Sequence, residues 1–222
     1  MSTALLPAEL APGRAPEARH PLTIAIAHCK GGVGKTTTTL ILGRYLARRR
    51  RVALRDYDDG QHLSALVRDI SPDGVLTNRL WLDDGSNTAA ADVVLIDSAP
   101  ARSHDTRQAL VEADYILIPA PPERQVVRSL HQMLDTVDEV RSARVGGNPF
   151  VQILGVVPTL YDRKWPIHAA FLEEMRAACA ERQVRVFPPV LRRQSYQMLS
   201  LAGQDYEPVA AAIEQVARRR RA

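Results

Sequence analysis

Cysteine is scarce in this 222-residue chain, with only Cys29 and Cys179 present. Two thiols 150 positions apart give neither a disulfide framework nor the ligand spacing of a zinc or iron–sulfur site, and they fit a reducing compartment. Long hydrophobic runs are missing too: none approaches the ~20 apolar residues that a bilayer-spanning helix requires. The first 21 residues lack a continuous apolar stretch, so they read as neither a secretory signal nor a membrane helix. Rich in Ala and Pro, residues 1–21 are expected to form a disordered arm, with the folded domain starting near Leu22. Internal repeats and low-complexity tracts are absent as well. The length suggests one large domain, able to bury a core without covalent staples.

Charge is balanced apart from a mild basic excess, +4 with a pI near 9.3. Its placement says more than its size. Four arginines run from Arg48 to Arg51 and four more from Arg218 to Arg221, with Arg192 and Arg193 between. Such clusters can neutralise phosphates on a nucleic-acid backbone. The first can equally be a solvated helix end, where cations complement the dipole.

Short apolar runs alternate with helical stretches along the chain. LTIAIAH, RVALRDYD, DVVLIDSAP, YILIPAPP and FVQILGVVPT read as strands, and VRVF as a brief sixth. Helices are expected after residue 35, over Arg124 to Val140, over Ile167 to Arg182, and from Val209 to Arg221. Unbroken apolar strands separated by helices predict a doubly wound α/β fold, a mostly parallel sheet with helices on both faces. Ligands of such sheets sit beyond the carboxyl ends of the strands. The Gly/Asp/Ser-rich stretch from Ser71 to Thr88 predicts only a compact connection. Trp81 and Trp165 read as core or partner anchors, and the pair His28–Cys29 as packing at a strand end.

The segment CKGGVGKTTT, residues 29 to 38, lies directly behind the first strand and opens a helix. Gly31, Gly32 and Gly34 permit a turn tight enough for successive N–H groups to face one anion. The helix start adds unpaired N–H groups and the positive end of its dipole. Lys35 can reach outer phosphates, and the Thr36 hydroxyl suits Mg²⁺. The strict P-loop pattern wants glycine at Cys29; here a second lysine, Lys30, precedes the Gly-Gly pair.

KGGVGKTT resembles the deviant Walker A box of the ParA/MinD ATPases, a class of P-loop NTPases. The resemblance runs from Leu22 to about Ala217, making 22–217 the ATPase domain and 218–222 a basic tail. It implies ATP and Mg²⁺ as cofactors. It also implies a nucleotide site of Lys30, Gly31, Gly32, Val33, Gly34, Lys35, Thr36 and Thr37, with Lys30 reaching the phosphates held by a second subunit of an ATP-bound homodimer. Lys30, Lys35 and Asp58 are the implied catalytic residues. In DYDDGQ, Asp58 matches the first-switch aspartate that holds the attacking water, although Asp59-Gly60 replaces the usual Pro-Gln. Asp58 can equally cap the helix that follows. Asp97, closing DVVLID, matches a Walker B aspartate, so Thr36, Asp58 and Asp97 are the implied metal residues. Thr159 and Asp162, in PTLYD, match the stretch near the adenine. Glu123 matches a position near the dimer face, or is a carboxylate favoured at a helix start.

The tail PPVLRRQSYQMLSLAG looks most like the small partition subgroup that lacks an N-terminal helix-turn-helix domain. That likeness implies non-specific DNA binding through Arg192 and Arg193, helped by Arg218, Arg219, Arg220 and Arg221. It also implies an adaptor partner of the centromere-binding ParB kind and a cytoplasmic, nucleoid-associated location. Two alternatives stay open: a MinD-like protein on membranes, disfavoured because AAIEQVARRRRA offers few bulky apolar residues for insertion, and a nucleotide-dependent scaffold with little hydrolysis.

Overall fold

The computed structural model describes residues 20–100, 104–192 and 203–220. The arm expected for residues 1–21 therefore lies almost wholly outside the described residues, as do Arg193 and Arg221.

The chain alternates strands and helices: β1 (Leu22–Ile26), α1 (Lys35–Leu46), β2 (Val52–Tyr57), α2 (His62–Ile70), β3 (Val75–Thr77), β4 (Leu80–Leu82), β5 (Val93–Ser98) and α3 (His104–Glu112). Then follow β6 (Tyr115–Pro119), α4 (Arg124–Ser142), β7 (Gln152–Val157), α5 (Pro166–Glu181) and α6 (Glu207–Arg219). The strands form one sheet in the order β3-β4-β2-β5-β1-β6-β7. All neighbours pair in parallel except β3 with β4. β1 therefore lies centrally, between β5 and β6.

Alternation along each strand feeds two cores. One face packs Ile24, Ile26, Leu54 and Leu95 against Leu40 and Leu42 of α1, Leu63 and Val67 of α2, and Val209 and Ile213 of α6. The other packs Ala25, Val94, Ile96 and Ile116 against Leu110 of α3, Val126, Leu130 and Met133 of α4, and Met175 of α5. A sheet covered on both faces needs apolar side chains at every central position, which is why its strands read as unbroken runs.

Two sequence expectations require correction. VRVF is not a strand: only Val186 bridges to Val156, and Pro188–Pro189, which have no N–H to donate, interrupt the ladder before the separate bridge of Leu191 to Tyr161. The stretch from Ser71 to Thr88 is more than a connection, because β3 and β4 form a small hairpin and β4 extends the sheet beside β2. The last helix, expected from Val209 to Arg221, is α6. α6 continues through Arg218 and Arg219, since arginine is a good helix former and complements the negative end of the dipole.

Candidate functional site

The register places the chemistry. Ile26 at the end of β1 pairs with Asp97 of β5, which pairs in turn with Asp56 of β2. Three neighbouring strands thus stop at one level, and the loop of residues 27–34 crosses above them to start α1. Gly32 (φ +74°) and Gly34 (φ +90°) hold left-handed conformations that a side chain would strain. Gly34 occupies the N-cap position and supplies no side-chain cap, while its carbonyl accepts the first helical bond, from Thr38 N–H at 2.9 Å. The N–H groups of Lys35, Thr36 and Thr37 have no carbonyl one turn earlier to bond, so they are available to an anion.

Lys35 is buried, its Nζ donating to the Lys30 carbonyl at 3.3 Å. Burial lowers its pKa, opposed by the charges of Asp97 and then Asp58. Asp97 is wholly buried, and neither carboxylate oxygen has a hydrogen-bond partner of ordinary geometry. Burial pushes its carboxyl up to about 7; Asp56 and Asp58 push the same way, while the nearby Thr36 hydroxyl and Lys35 pull it down. Two bare carboxylate oxygens beside a threonine hydroxyl form the hard-oxygen donor set that suits Mg²⁺. Of the sequence's metal residues Thr36, Asp58 and Asp97, Thr36 and Asp97 therefore fit that ion, and Asp58 lies near enough to raise the Asp97 carboxyl further.

Asp58 is held rather than free. Its Oδ1 accepts from Gly60 N–H at 3.1 Å, and its Oδ2 lies 3.0 Å from His62 Nδ1. Burial raises its pKa, but the bonds from His62 and Gly60 and the charge of Lys35 outweigh that, leaving it below the usual carboxylate range. Asp56, which the sequence reading gave no role, organises the same loop: it accepts from the N–H groups of Asp58 (3.2 Å) and Ser64 (2.8 Å). The Asp-x-Asp spacing was visible; what the first aspartate bonds to was not.

Lys30 leans away from its own loop. Its Nζ is 3.5 Å from Glu123 Oε2, and its N–H donates to His28 Nδ1 at 2.9 Å. Burial, then the charges of Lys35 and Lys30, lower the pKa of His28 to about 3, so the ring is neutral and acts as an acceptor that pins the loop. Cys29 packs its sulfur 3.7 Å from that of Met133 on α4.

Thr159 does meet the loop, its hydroxyl donating to the Val33 carbonyl at 2.7 Å. Asp162 instead shapes the turn into α5: its carboxylate accepts from Lys164 N–H at 2.9 Å, and its own N–H donates to His168. Arg192 is exposed, its backbone bonded to Tyr161 beyond the carboxyl end of β7. Arg220 lies at the opposite end of the sheet, bonded to Asp114 and the Pro21 carbonyl just before β6 and β1. The described arginines thus occupy two ends of the molecule and not one patch.

A strand, a glycine loop with open N–H groups, a buried lysine and two strand-end aspartates define a P-loop nucleotide-binding domain. The model of the CobQ/CobB/MinD/ParA nucleotide-binding domain matches residues 24–204. The chromosome-partitioning ATPase Soj of Thermus thermophilus is 31% identical over 206 residues, covering 77% of this chain and 80% of that protein. Among solved structures, Cyanothece McdA in complex with ATP superimposes with a TM-score of 0.73 at 23% identity, covering 88% of this chain and 97% of the other. Cobyrinic acid a,c-diamide synthase of Mycobacterium smegmatis, bound to an ATP analogue and magnesium, gives 0.69 at 26% identity, with 88% and 95% covered. The chain belongs to the CobQ/CobB/MinD/ParA family and is an ATPase of the ParA type, with the deviant Walker A box at residues 30–37.

Proposed function

We propose that the protein is an ATP-dependent dimerising switch that binds DNA non-specifically and positions a plasmid, chromosome or other cargo together with an adaptor protein. The observation that carries this reading is the posture of Lys30. Its ammonium sits on Glu123 at the rim of the loop, while Lys35 alone serves the loop from within. A lysine so placed is positioned to neutralise phosphates approaching from a second subunit.

ATP would lie on the N–H groups that follow Gly34, with Lys35 against its outer phosphates and Thr159 bracing the loop from behind. Mg²⁺, held by Thr36, Asp58 and Asp97, would spread the phosphate charge. Asp58 orients the attacking water, but only after the bonds from His62 and Gly60 N–H loosen, which favours slow basal hydrolysis and stimulation by a partner. Arg192, Arg193 and Arg218 to Arg221 supply the DNA contacts. Two copies in one dimer raise retention on DNA through effective concentration.

The test compares DNA retention with and without ATP for the native chain and Lys30→Gln. The native chain should need ATP; the variant should lose retention while keeping most of its ATP affinity. A variant that holds DNA normally would remove Lys30 from the switch.

A further inference from the structure

The two arginine runs, some 170 positions apart in the chain, meet in space. A cleft of about 520 Å³ opens between the C-terminal end of α1 and the length of α6, and Arg48 and Arg49 line one wall while Arg218 and Arg219 line the other. All four side chains are exposed, and none has an ion-pair partner among the described residues. The exposed run is assembled around one carboxylate. Glu214 on α6 receives a bidentate pair of bonds from Arg50, at 3.1 and 2.5 Å. Arg50, then burial in opposition, then the charges of Arg218 and Arg49 set its pKa, which falls below the ordinary value. With Glu214 neutralised by Arg50, Glu207 is the remaining carboxylate of the lining, set against four guanidinium groups.

We infer that this cleft is a binding site for the phosphate backbone of a nucleic acid, at the end of the sheet opposite the nucleotide loop. The inference rests on the reading of DNA as a ligand, and it adds Arg48 and Arg49 to the arginines already named. Both helices direct their C-termini to this end, contributing roughly one unit of negative partial charge in all. Four guanidinium charges outweigh that and Glu207, which lies at the far end of α6. Guanidinium groups on facing walls suit bidentate contact with successive phosphates. An anionic membrane is the poorer match: among the described residues the exposed large apolar ones are Ile70, Val75, Val145, Phe150, Trp165 and Ile167, and none lines this cleft. The Arg48 guanidinium lies 4.9 Å from the Tyr45 ring centre, which keeps it at the rim and not folded over the floor.

The experiment measures binding of the full chain to a random-sequence duplex across a series of salt concentrations with ATP present, for the native protein, Arg48→Ala/Arg49→Ala and Arg218→Gln/Arg219→Gln. Each double variant should bind about tenfold more weakly, with the slope of log K against log salt reduced by about one to two. Nucleotide affinity of Arg48→Ala/Arg49→Ala should stay unchanged, because the loop is about 18 Å away along α1. Native-like affinity and slope in Arg48→Ala/Arg49→Ala would overturn the inference while leaving DNA binding through other arginines intact. So would loss of binding to phosphatidylglycerol vesicles with DNA binding preserved. If the native chain holds no DNA under any of these conditions, the broader reading fails, and this one with it.

Discussion

Asp97 carries opposing demands in a single side chain. Its two oxygens are buried without hydrogen-bond partners, a state worth about 1–3 kcal/mol of lost stability for a polar group. The same bareness makes it a good cation ligand. Asp97→Asn should therefore stabilise the nucleotide-free chain, raising its melting temperature by about 2–4 °C per kcal/mol. The sign with pH follows from the raised carboxyl. Its folded value, about 7, exceeds the ordinary carboxyl value of 3.8, so it contributes stability fully below 3.8 and loses it as pH rises through about 7. The gain from Asp97→Asn should accordingly widen toward alkaline pH, and added Mg²⁺ with ATP should protect the native chain but not the variant. Thermal scanning at several pH values checks both. An unchanged response to Mg²⁺ would take the metal role away from Asp97.

Most of the site was legible at this scale because phosphate chemistry dictates residue types in a fixed order: glycines, lysine, threonine, then aspartates at strand ends. What escaped was how the carboxylates are held. Asp56 tying Ser64, His62 capping Asp58, and Glu123 holding Lys30 all depend on side-chain directions across loops, which no linear spacing encodes.

At the scale of elements, the central strands were readable because burial on both faces makes them continuous apolar runs. The exceptions share a cause. β3 and β4 are three residues each and partly exposed, too short to show a period. α3, nine residues long, went unassigned for a similar reason. VRVF has strand-like residues, yet its placement depends on one small neighbour. A Cβ on Gly155 of β7 would lie 2.6 Å from the Phe187 ring and 2.9 Å from the Arg185 carbonyl. Gly155→Ala should therefore force this segment off β7, destabilising the fold by about 1–3 kcal/mol as overpacking does. Chemical denaturation measures it; a midpoint equal to that of the native chain would show that the segment yields freely.

The whole molecule has two working ends. β1, five residues and ~17 Å long, separates the nucleotide loop from the start of the sheet, where Arg220 bonds to Asp114 and Pro21. No helix among the described residues is long and apolar enough to cross a membrane. In the proposed switch, a nucleotide-driven pairing at one end, carrying arginines at the other, would couple ATP to DNA retention by doubling the number of contacts without any change of shape within a subunit. The pairing step is therefore the point on which the account turns. The most direct measurement is the mass in solution, by light scattering, of Asp58→Ala with Mg²⁺ and ATP, alone and combined with Lys30→Gln. The account predicts twice the 24.5 kDa of one chain for Asp58→Ala and a single-chain mass once Lys30 is also replaced. A single-chain mass for both, or the doubled mass for both, would contradict it.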